Sequence, residues 1–232
     1  MALQFSIPPI PPGYGSGERH LPCVLLVDTS SYMGNGAIDE LNKCLVEFGN
    51  ALQNDYWARG CVEVCVISFN SSVQTEISFR PVDDYEAPIL RASGLASMNG
   101  AVEAGLDALE ARKADYRTYG LDYYRPWLFL IAAGTPTDIE RENAAKARLQ
   151  NAIKNRKVTF MPMSIGPNAD IARLQSYYPD NMAERPVLRA GAEQFREAFK
   201  WLGGCPLRTQ NPPVFGDDVQ LPSFLSGITI KV

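Results

Sequence analysis

The chain has 232 residues, of which 46% are apolar, and its 22 Lys and Arg against 26 Asp and Glu give a net charge of −4. This length buries a hydrophobic core by itself, and the 21% of charged and 10% of aromatic residues exclude a disordered chain. A mildly acidic chain without a long basic run lacks the charge that nucleic acid or an anionic membrane requires, so we expect neither as a partner. The longest apolar run, Trp127 to Ala133, has the length of a buried strand, and residues 1–15 do not have the pattern of a secretory signal.

The histidine and cysteine counts disfavour catalysis and disulfides. His20 is the single histidine, so any Ser-His-Asp or Cys-His scheme would pass through it, and we expect it to be a loop or strand-edge residue. We therefore predict that the protein is not an enzyme. An odd number of cysteines without CxxC spacing, three of them in or beside strand-like segments, predicts reduced, buried thiols and a cytoplasmic location. The five are Cys23, Cys44, Cys61, Cys65 and Cys205.

In chain order, a Pro/Gly-rich arm over residues 1–17 precedes alternating apolar and helical patterns that continue to residue 204. The patterns predict strands over 20–28, 61–70, 72–82, 125–134, 157–166 and 186–189, and helices over 37–55, 97–116, 138–155, 170–177 and 191–204. The tail, 205–232, is too rich in Pro and Gly for an independent domain. Its alternating GITIKV end predicts a strand that adds to a sheet edge in its own chain or in a neighbour.

Apolar strands separated by helices of ten to twenty residues predict a doubly wound α/β fold, with a mostly parallel central sheet and helices on both faces. The segment 72–82 follows a short turn at residues 70–72, so it reads as an edge strand. In such sheets the ligand site lies beyond the carboxyl ends of the strands. The loops that follow or precede these ends are therefore the first place to look for function.

Three of those loops carry a family resemblance. DTSSYMG (28–34) directly follows the first strand, SGLASMNGA (93–101) precedes a helix, and AAGTPTD (132–138) ends the most apolar strand. In order, spacing and strand context they resemble the DxSxS, SGGT and TDGxPTD loops of a von Willebrand factor A (VWA) domain, over about residues 18–204. The PTD ending, LPCVLLVD and YRPW look most like the bacterial TerY-like branch, associated with tellurite resistance and stress signalling. The resemblance implies about six strands with one antiparallel edge, and a metal-ion-dependent adhesion site that binds an acidic group of a protein partner.

The adhesion site implied by the resemblance is degenerate at three of five positions. Asp28 and Ser30 match the first two positions, but Tyr32, Ala96 and Ala133 stand where the family has serine, threonine and aspartate. Mg²⁺ requires a near-octahedral shell of oxygen ligands, and the alanines offer none while the tyrosine hydroxyl lies too far out. We therefore predict no cofactor, with Mg²⁺ disfavoured.

Two structural alternatives stay open at these loops. Asp28 and Ser30 can form a strand-end Asx turn, with their side chains bonded to loop amides. Tyr32 either anchors a protein partner, as tyrosine often does at interfaces, or packs over the gap left by the two alanines. A rewired metal site is the remaining possibility; its ligands would be Asp28 and Ser30 together with Ser31, Ser97 or Asp138.

The sequence thus predicts a module that binds a protein partner of unknown identity through its loops, without catalysis. The candidate partner-binding residues are Asp28, Ser30, Ser31, Tyr32, Met33, Ser97, Asn99, Thr135 and Asp138. One alternative is a structural subunit of a homo- or hetero-oligomer, in which the arm and the strand-like tail exchange between copies. A second is a Mg²⁺-dependent adhesion module with the rewired site.

Overall fold

A computed structural model of the protein describes Tyr14 and residues 19–133, 135–166, 169–182, 187–190, 218–220 and 229–231. The strands are β1 (Arg19–Asp28), β2 (Val62–Phe69), β3 (Val73–Pro81), β4 (Asp122–Tyr123), β5 (Trp127–Ala132), β6 (Thr159–Ile165), β7 (Leu188–Ala190), β8 (Asp218–Gln220) and β9 (Thr229–Lys231). The helices are α1 (Ala37–Gln53), α2 (Tyr56–Cys61), α3 (Met98–Tyr119), α4 (Glu142–Lys154) and α5 (Ile171–Gln175). The helix predicted over 191–204, and most of the predicted arm and tail, lie outside the described residues.

The central sheet has the strand order β3-β2-β1-β5-β6-β7, and the short β4 pairs with the start of β1. β3 runs antiparallel to β2 at one edge, whereas the other pairs are parallel. This confirms the doubly wound α/β class, the mostly parallel sheet of about six strands and its antiparallel edge strand. Because β1, β5 and β6 are parallel neighbours, their carboxyl ends at Asp28, Ala132 and Ile165 lie along one edge of the sheet.

The core consists of two layers, one on each face of the sheet, because alternate residues of a strand point to opposite faces. Leu25 of β1 belongs to the layer that includes Leu45 and Phe48 of α1. Leu26, its neighbour in sequence, belongs to the layer that includes Leu106 of α3 and Leu149 of α4. Helices therefore cover both faces, as the apolar strands required.

Several details differ from the sequence predictions. The predicted helix over 37–55 ends at Gln53, and α2 follows with its N-terminus capped by Asp55, whose Oδ1 accepts a hydrogen bond from Ala58 N (3.0 Å). Within the GITIKV end, Thr229–Lys231 form a strand, β9, which pairs antiparallel with β8 of the same chain in a two-stranded sheet.

His20 lies at the edge of a strand, as the second residue of β1, where it pairs with Tyr123 of β4, and it is 1% exposed. Its Nδ1 lies 2.8 Å from Oε1 of Glu63, a fully buried carboxylate that also accepts hydrogen bonds from Arg112 and Tyr116. The ring of Tyr14, from the arm, stacks on the Arg112 guanidinium at 3.8 Å. The single histidine is thus part of a buried polar network at the amino end of the sheet.

The described cysteines are reduced and buried, as predicted for Cys23, Cys61 and Cys65; Cys44 is buried as well, and Cys205 lies outside the described residues. Burial raises the pKa of the Cys65 thiol to about 12, and the nearby Arg112 charge offsets only part of this effect. Among the described helices, none has both the length and the apolar character that a bilayer crossing requires.

Candidate functional site

Three loops meet at the carboxyl edge of the sheet, and we call residues 28–36, 93–99 and 135–139 the carboxyl-edge loops. The middle loop is hydrogen-bonded to the first: Ser31 N donates to Gly94 O (3.0 Å) and Ser93 N donates to Thr29 O (2.8 Å). It is also bonded to the third, since Thr137 N donates to the backbone oxygen of Ala96 (2.9 Å). The structure therefore brings together the three loops that the sequence singled out.

Asp28 connects the carboxyl ends of β1 and β5 through hydrogen bonds. It is fully buried, its Oδ1 accepts from Ser30 N (2.8 Å) and its Oδ2 accepts from Ala133 N (3.0 Å). The Asx turn expected at Asp28 is present, but the Ser30 side chain takes no part in it. The Ser30 hydroxyl is buried and has no hydrogen-bond partner within the described residues.

Asp138 holds the first turn of α3. Its Oδ1 accepts from Asn99 N (3.2 Å) and its Oδ2 accepts from Gly100 N (2.8 Å), so a carboxylate from another loop satisfies donors at the helix N-terminus. Asn99 is fully buried; its amide donates to Asp138 O (2.9 Å), and its Oδ1 accepts from Tyr177. Burial, followed by the charges of Glu142 and Asp138, raises the pKa of the Tyr177 phenol. Both predicted site residues thus have structural partners.

The predicted binding residues differ in how far their side chains are exposed to solvent. Ser31 and Tyr32 are exposed, and Tyr32 is 55% accessible, which does not support the alternative that its ring packs over the two alanines. Met33 was expected at the loop tip, but its side chain is fully buried in the core layer beneath α1, because the 3₁₀ turn Ser31–Met33 directs it inward. Ser97 and Thr135 are half-buried.

A small cavity of about 270 Å³ opens beside Tyr32. Its lining includes Ala133 and residues 34–36, with Glu40 from α1 and Ile165 from β6. Gly36 and Asn35 both have positive φ (91° and 56°), which shapes the entry into α1. Ala133 has no side-chain oxygen to offer at this cavity. Around it lie the phenol of Tyr32, the carboxylate of Glu40 and the aliphatic side chain of Ile165.

Sequence reasoning missed two exposed apolar side chains on the same loops. Leu95 is 60% exposed and Ile139 is 50% exposed. The backbone around Leu95 is held firmly, because Leu95 N donates to Ser71 Oγ (2.9 Å) and the next amide, Ala96 N, donates to Thr137 Oγ1 (3.1 Å). The signal that would have found them is a single large apolar residue inside an otherwise polar loop, as in SGLAS and PTDIE.

With Tyr32, these two residues place one exposed apolar side chain on each carboxyl-edge loop. Exposed apolar residues scattered singly are ordinary, whereas a contiguous apolar patch marks an interaction site, and these three residues lie on loops that hydrogen bonds join at one edge of the sheet. We call Tyr32, Leu95 and Ile139 the apolar triad.

Comparison with known proteins identifies the fold. No protein-family model matches the chain, and no curated protein is significantly similar to it. Manganese-loaded TRAP protein from Plasmodium vivax is similar in structure, with a TM-score of 0.57 and 16% identity over 79% of this chain and 74% of that one. A von Willebrand factor type A protein from Catenulispora acidiphila gives a TM-score of 0.55 and 14% identity over 80% of this chain and 42% of that one.

The PilB minor pilin from Streptococcus sanguinis, in a D319A mutant form, gives a TM-score of 0.58 and 15% identity over 81% of this chain and 61% of that one. The chain thus spans less than two thirds of the Catenulispora and Streptococcus proteins. At these identities the likeness concerns architecture, and together with the strand order it shows that the chain has the fold of a von Willebrand factor A domain.

Proposed function

We propose that the protein is a non-catalytic interaction module whose carboxyl-edge loops bind an apolar patch of a protein partner without a metal ion. The observation that carries this proposal is the apolar triad: three exposed apolar side chains on three loops that hydrogen bonds hold together. Tyrosine contributes large contact area at low entropic cost and is enriched among the residues that dominate binding energy. Loops that are already ordered lose less conformational entropy on binding, so a few contact side chains are enough for a stable complex.

The available donor set supports the metal-free part of the proposal, because it does not fit Mg²⁺. Within the described residues there is no cluster of three or more His, Cys, Asp or Glu side chains. Asp28 accepts two backbone N–H groups, Asp138 accepts two more at the start of α3, and Ala96 and Ala133 offer no side-chain oxygen. A near-octahedral shell around the Ser30 hydroxyl that used Asp28 or Asp138 would draw on oxygens that already accept backbone N–H groups.

The cellular setting is part of the same proposal. We place the protein in the bacterial cytoplasm, in a stress or tellurite-resistance context like that of the TerY-like branch. This placement rests on the loop and strand motifs of the sequence and on the reduced, buried cysteines.

The test compares partners recovered from the native cell by the full chain and by three variants. Tyr32→Ala and Leu95→Ser each remove one exposed apolar group from the triad, and we expect each to weaken recovery of the same specific partner about tenfold or more. Tyr56→Ala is the matched control, because Tyr56 is 93% exposed on α2, away from the carboxyl-edge loops. Equal recovery by wild type and both triad variants, or equal loss with Tyr56→Ala, would reject the apolar triad as the binding surface.

The metal-free part has its own test, isothermal titration with Mg²⁺ and Mn²⁺. Ser30→Ala is the informative variant, since it removes a hydroxyl that bonds to nothing in the described residues and should leave the fold intact. We expect no saturable heat in either protein. Micromolar binding to wild type that disappears in Ser30→Ala would establish a rewired metal site and overturn this part of the proposal.

A further inference from the structure

We propose a second binding site, at the amino edge of the sheet, for a small organic anion with an apolar body. The site is a cavity of about 270 Å³ between the end of α4, the start of β6 and the segment 177–182. Thr159, at its base, pairs with Trp127 at the start of β5, so the cavity lies at the opposite end of the strands from the carboxyl-edge loops. The site is therefore independent of the proposed protein-binding surface.

The charge of the cavity is positive. Arg125, Lys154 and Arg156 contribute to its lining, and none of the lining residues that the structure describes is acidic. Lys154 and Arg156 are exposed, and neither makes an ion pair within the described part of the chain. Lys154 and Arg156, which make no ion pair in the described part of the chain, together with the Arg125 guanidinium in the lining, attract an anionic ligand.

These basic residues are not needed to cap α4. The backbone oxygens at its end already accept from backbone N–H groups: Arg156 N donates to Ile153 O (3.0 Å) and Lys157 N donates to Ala152 O (2.9 Å). Arg156 adopts a left-handed conformation (φ 55°), which ends the helix. The side chains of Lys154 and Arg156 are consequently available for another negative group.

A buried hydroxyl in the cavity also lacks a partner. Thr159 is 6% exposed and lines the cavity, and its Oγ1 has no hydrogen-bond partner within the described residues. Its backbone N–H donates to Pro126 O (2.8 Å), so the strand position is fixed while the hydroxyl remains unused. A buried hydroxyl without a partner is unfavourable, and an anionic oxygen in the cavity would relieve this by accepting a hydrogen bond from the Thr159 O–H.

Apart from the amide of Asn181, the rest of the lining consists of aromatic and aliphatic side chains. Tyr178 donates its hydroxyl to Phe160 O (3.2 Å), which leaves its ring as a wall of the cavity. The other apolar lining residues are Ile153, Val158, Phe160 and Met182. A cavity of about 150 Å³ holds a benzene molecule, so this one has room for one ring or a short branched chain together with a carboxylate or phosphate. The combination of cations, one hydroxyl donor and apolar walls selects an amphiphilic anion over an inorganic ion.

The test is titration of the full chain with four probes, by calorimetry or ligand-observed NMR. Phenyl phosphate and phenylacetate carry a ring and an anionic group; benzyl alcohol is the neutral counterpart, and inorganic phosphate lacks the ring. We expect the two aryl anions to bind saturably and at least about tenfold more tightly than the other two probes. No saturation by either aryl anion up to about 10 mM, or equally tight binding of benzyl alcohol or inorganic phosphate, would overturn the proposal.

Three variants locate the site. We expect Arg156→Gln to weaken phenyl phosphate binding about fivefold and Thr159→Val, which keeps the side-chain shape, to weaken it about tenfold. Lys157→Gln is the matched control, because Lys157 carries the same charge in the same turn but does not line the cavity. An equal loss in Lys157→Gln and Arg156→Gln would show that surface charge alone attracts the anion. Arg156 is exposed, so its variant gives a result even if Thr159→Val fails to fold.

Discussion

Substitution of Glu63 by Gln should destabilise the protein severely. Glu63 follows the first residue of β2 and is fully buried. Its Oε2 accepts from Arg112 Nε (2.7 Å) and from the Tyr116 hydroxyl (2.5 Å), and its Oε1 lies 2.8 Å from His20 Nδ1. Glutamine preserves the shape of the side chain but removes the negative charge that the Arg112 guanidinium, itself 8% exposed, requires.

The magnitude follows from the burial of this pair. Removal of one partner leaves an uncompensated charge in a low-dielectric interior, a change that costs about 3–5 kcal/mol. The glutamine side chain also has only one acceptor oxygen, and its second polar group is an NH2 donor. This NH2 group would face one of the donors that bind Glu63 in the native protein. The pKa of Tyr116 is raised by burial and then by the Glu63 charge, so the phenol stays protonated and keeps donating at neutral pH.

Urea unfolding at pH 7 measures the effect. Asp107→Asn is the matched control, because Asp107, also on α3, pairs with Arg148 (2.6 Å) and both side chains are exposed (70% and 41%). Exposed pairs contribute about 0–1 kcal/mol, so the control should change the free energy of unfolding little. The reasoning would be refuted if the two variants differed by less than about 1 kcal/mol. A double Glu63→Met, Arg112→Met variant should recover part of the loss, since apolar replacement of a whole buried pair is often neutral.

Three further predictions concern the carboxyl-edge loops and the cysteines. Asp138→Ala should lower the free energy of unfolding by about 1–2 kcal/mol, because two N–H groups of α3 lose their acceptor. Amide hydrogen exchange in the first turn of α3 should become faster. Unchanged exchange there would contradict the capping role of Asp138. Gly94→Ala should cost at least about 1 kcal/mol in thermal or urea unfolding, because Gly94 has φ 73° and an added Cβ would lie 2.4 Å from Ser71 Oγ; a fully stable variant would show that this loop tolerates a side chain. Iodoacetamide should leave Cys65 almost unmodified at pH 8, because a thiol pKa of about 12 leaves about one thiolate in ten thousand, and urea should abolish this protection; peptide mapping by mass spectrometry reads out both states.

The sheet was predictable from the sequence because its strands are long, apolar runs. β1, β2, β5 and β6 are buried along almost their whole length, and that pattern is visible without a structure. The missed elements are short: α2 has six residues and β4 has two, too few to show a period. Their existence depends on tertiary context, such as the pairing of β4 with the start of β1.

The site was predictable as three loops but less so as side chains. Tyr32 and Met33 are adjacent residues in one polar loop, yet Tyr32 is exposed and Met33 is buried. The 3₁₀ turn Ser31–Met33 directs the Met33 side chain into the core and leaves Tyr32 in solvent. His20 and Glu63 are polar residues inside strand patterns, and nothing local indicates that they meet across 43 positions of sequence. Sequence patterns reveal which segments meet at an edge, whereas the orientation of single loop residues depends on backbone turns and on distant partners.

Asp28 and Asp138, the acidic groups of the carboxyl-edge loops, are both held by backbone donors. Both oxygens of Asp28 and both oxygens of Asp138 accept backbone N–H groups, so each carboxylate is stabilised by donors fixed in the fold. Each of these bonds also crosslinks the fold, since Asp28 joins the ends of β1 and β5 and Asp138 joins its own loop to α3. The loops therefore gain their order from backbone donors, and that order leaves Tyr32, Leu95 and Ile139 outside, where an incoming partner surface can cover them.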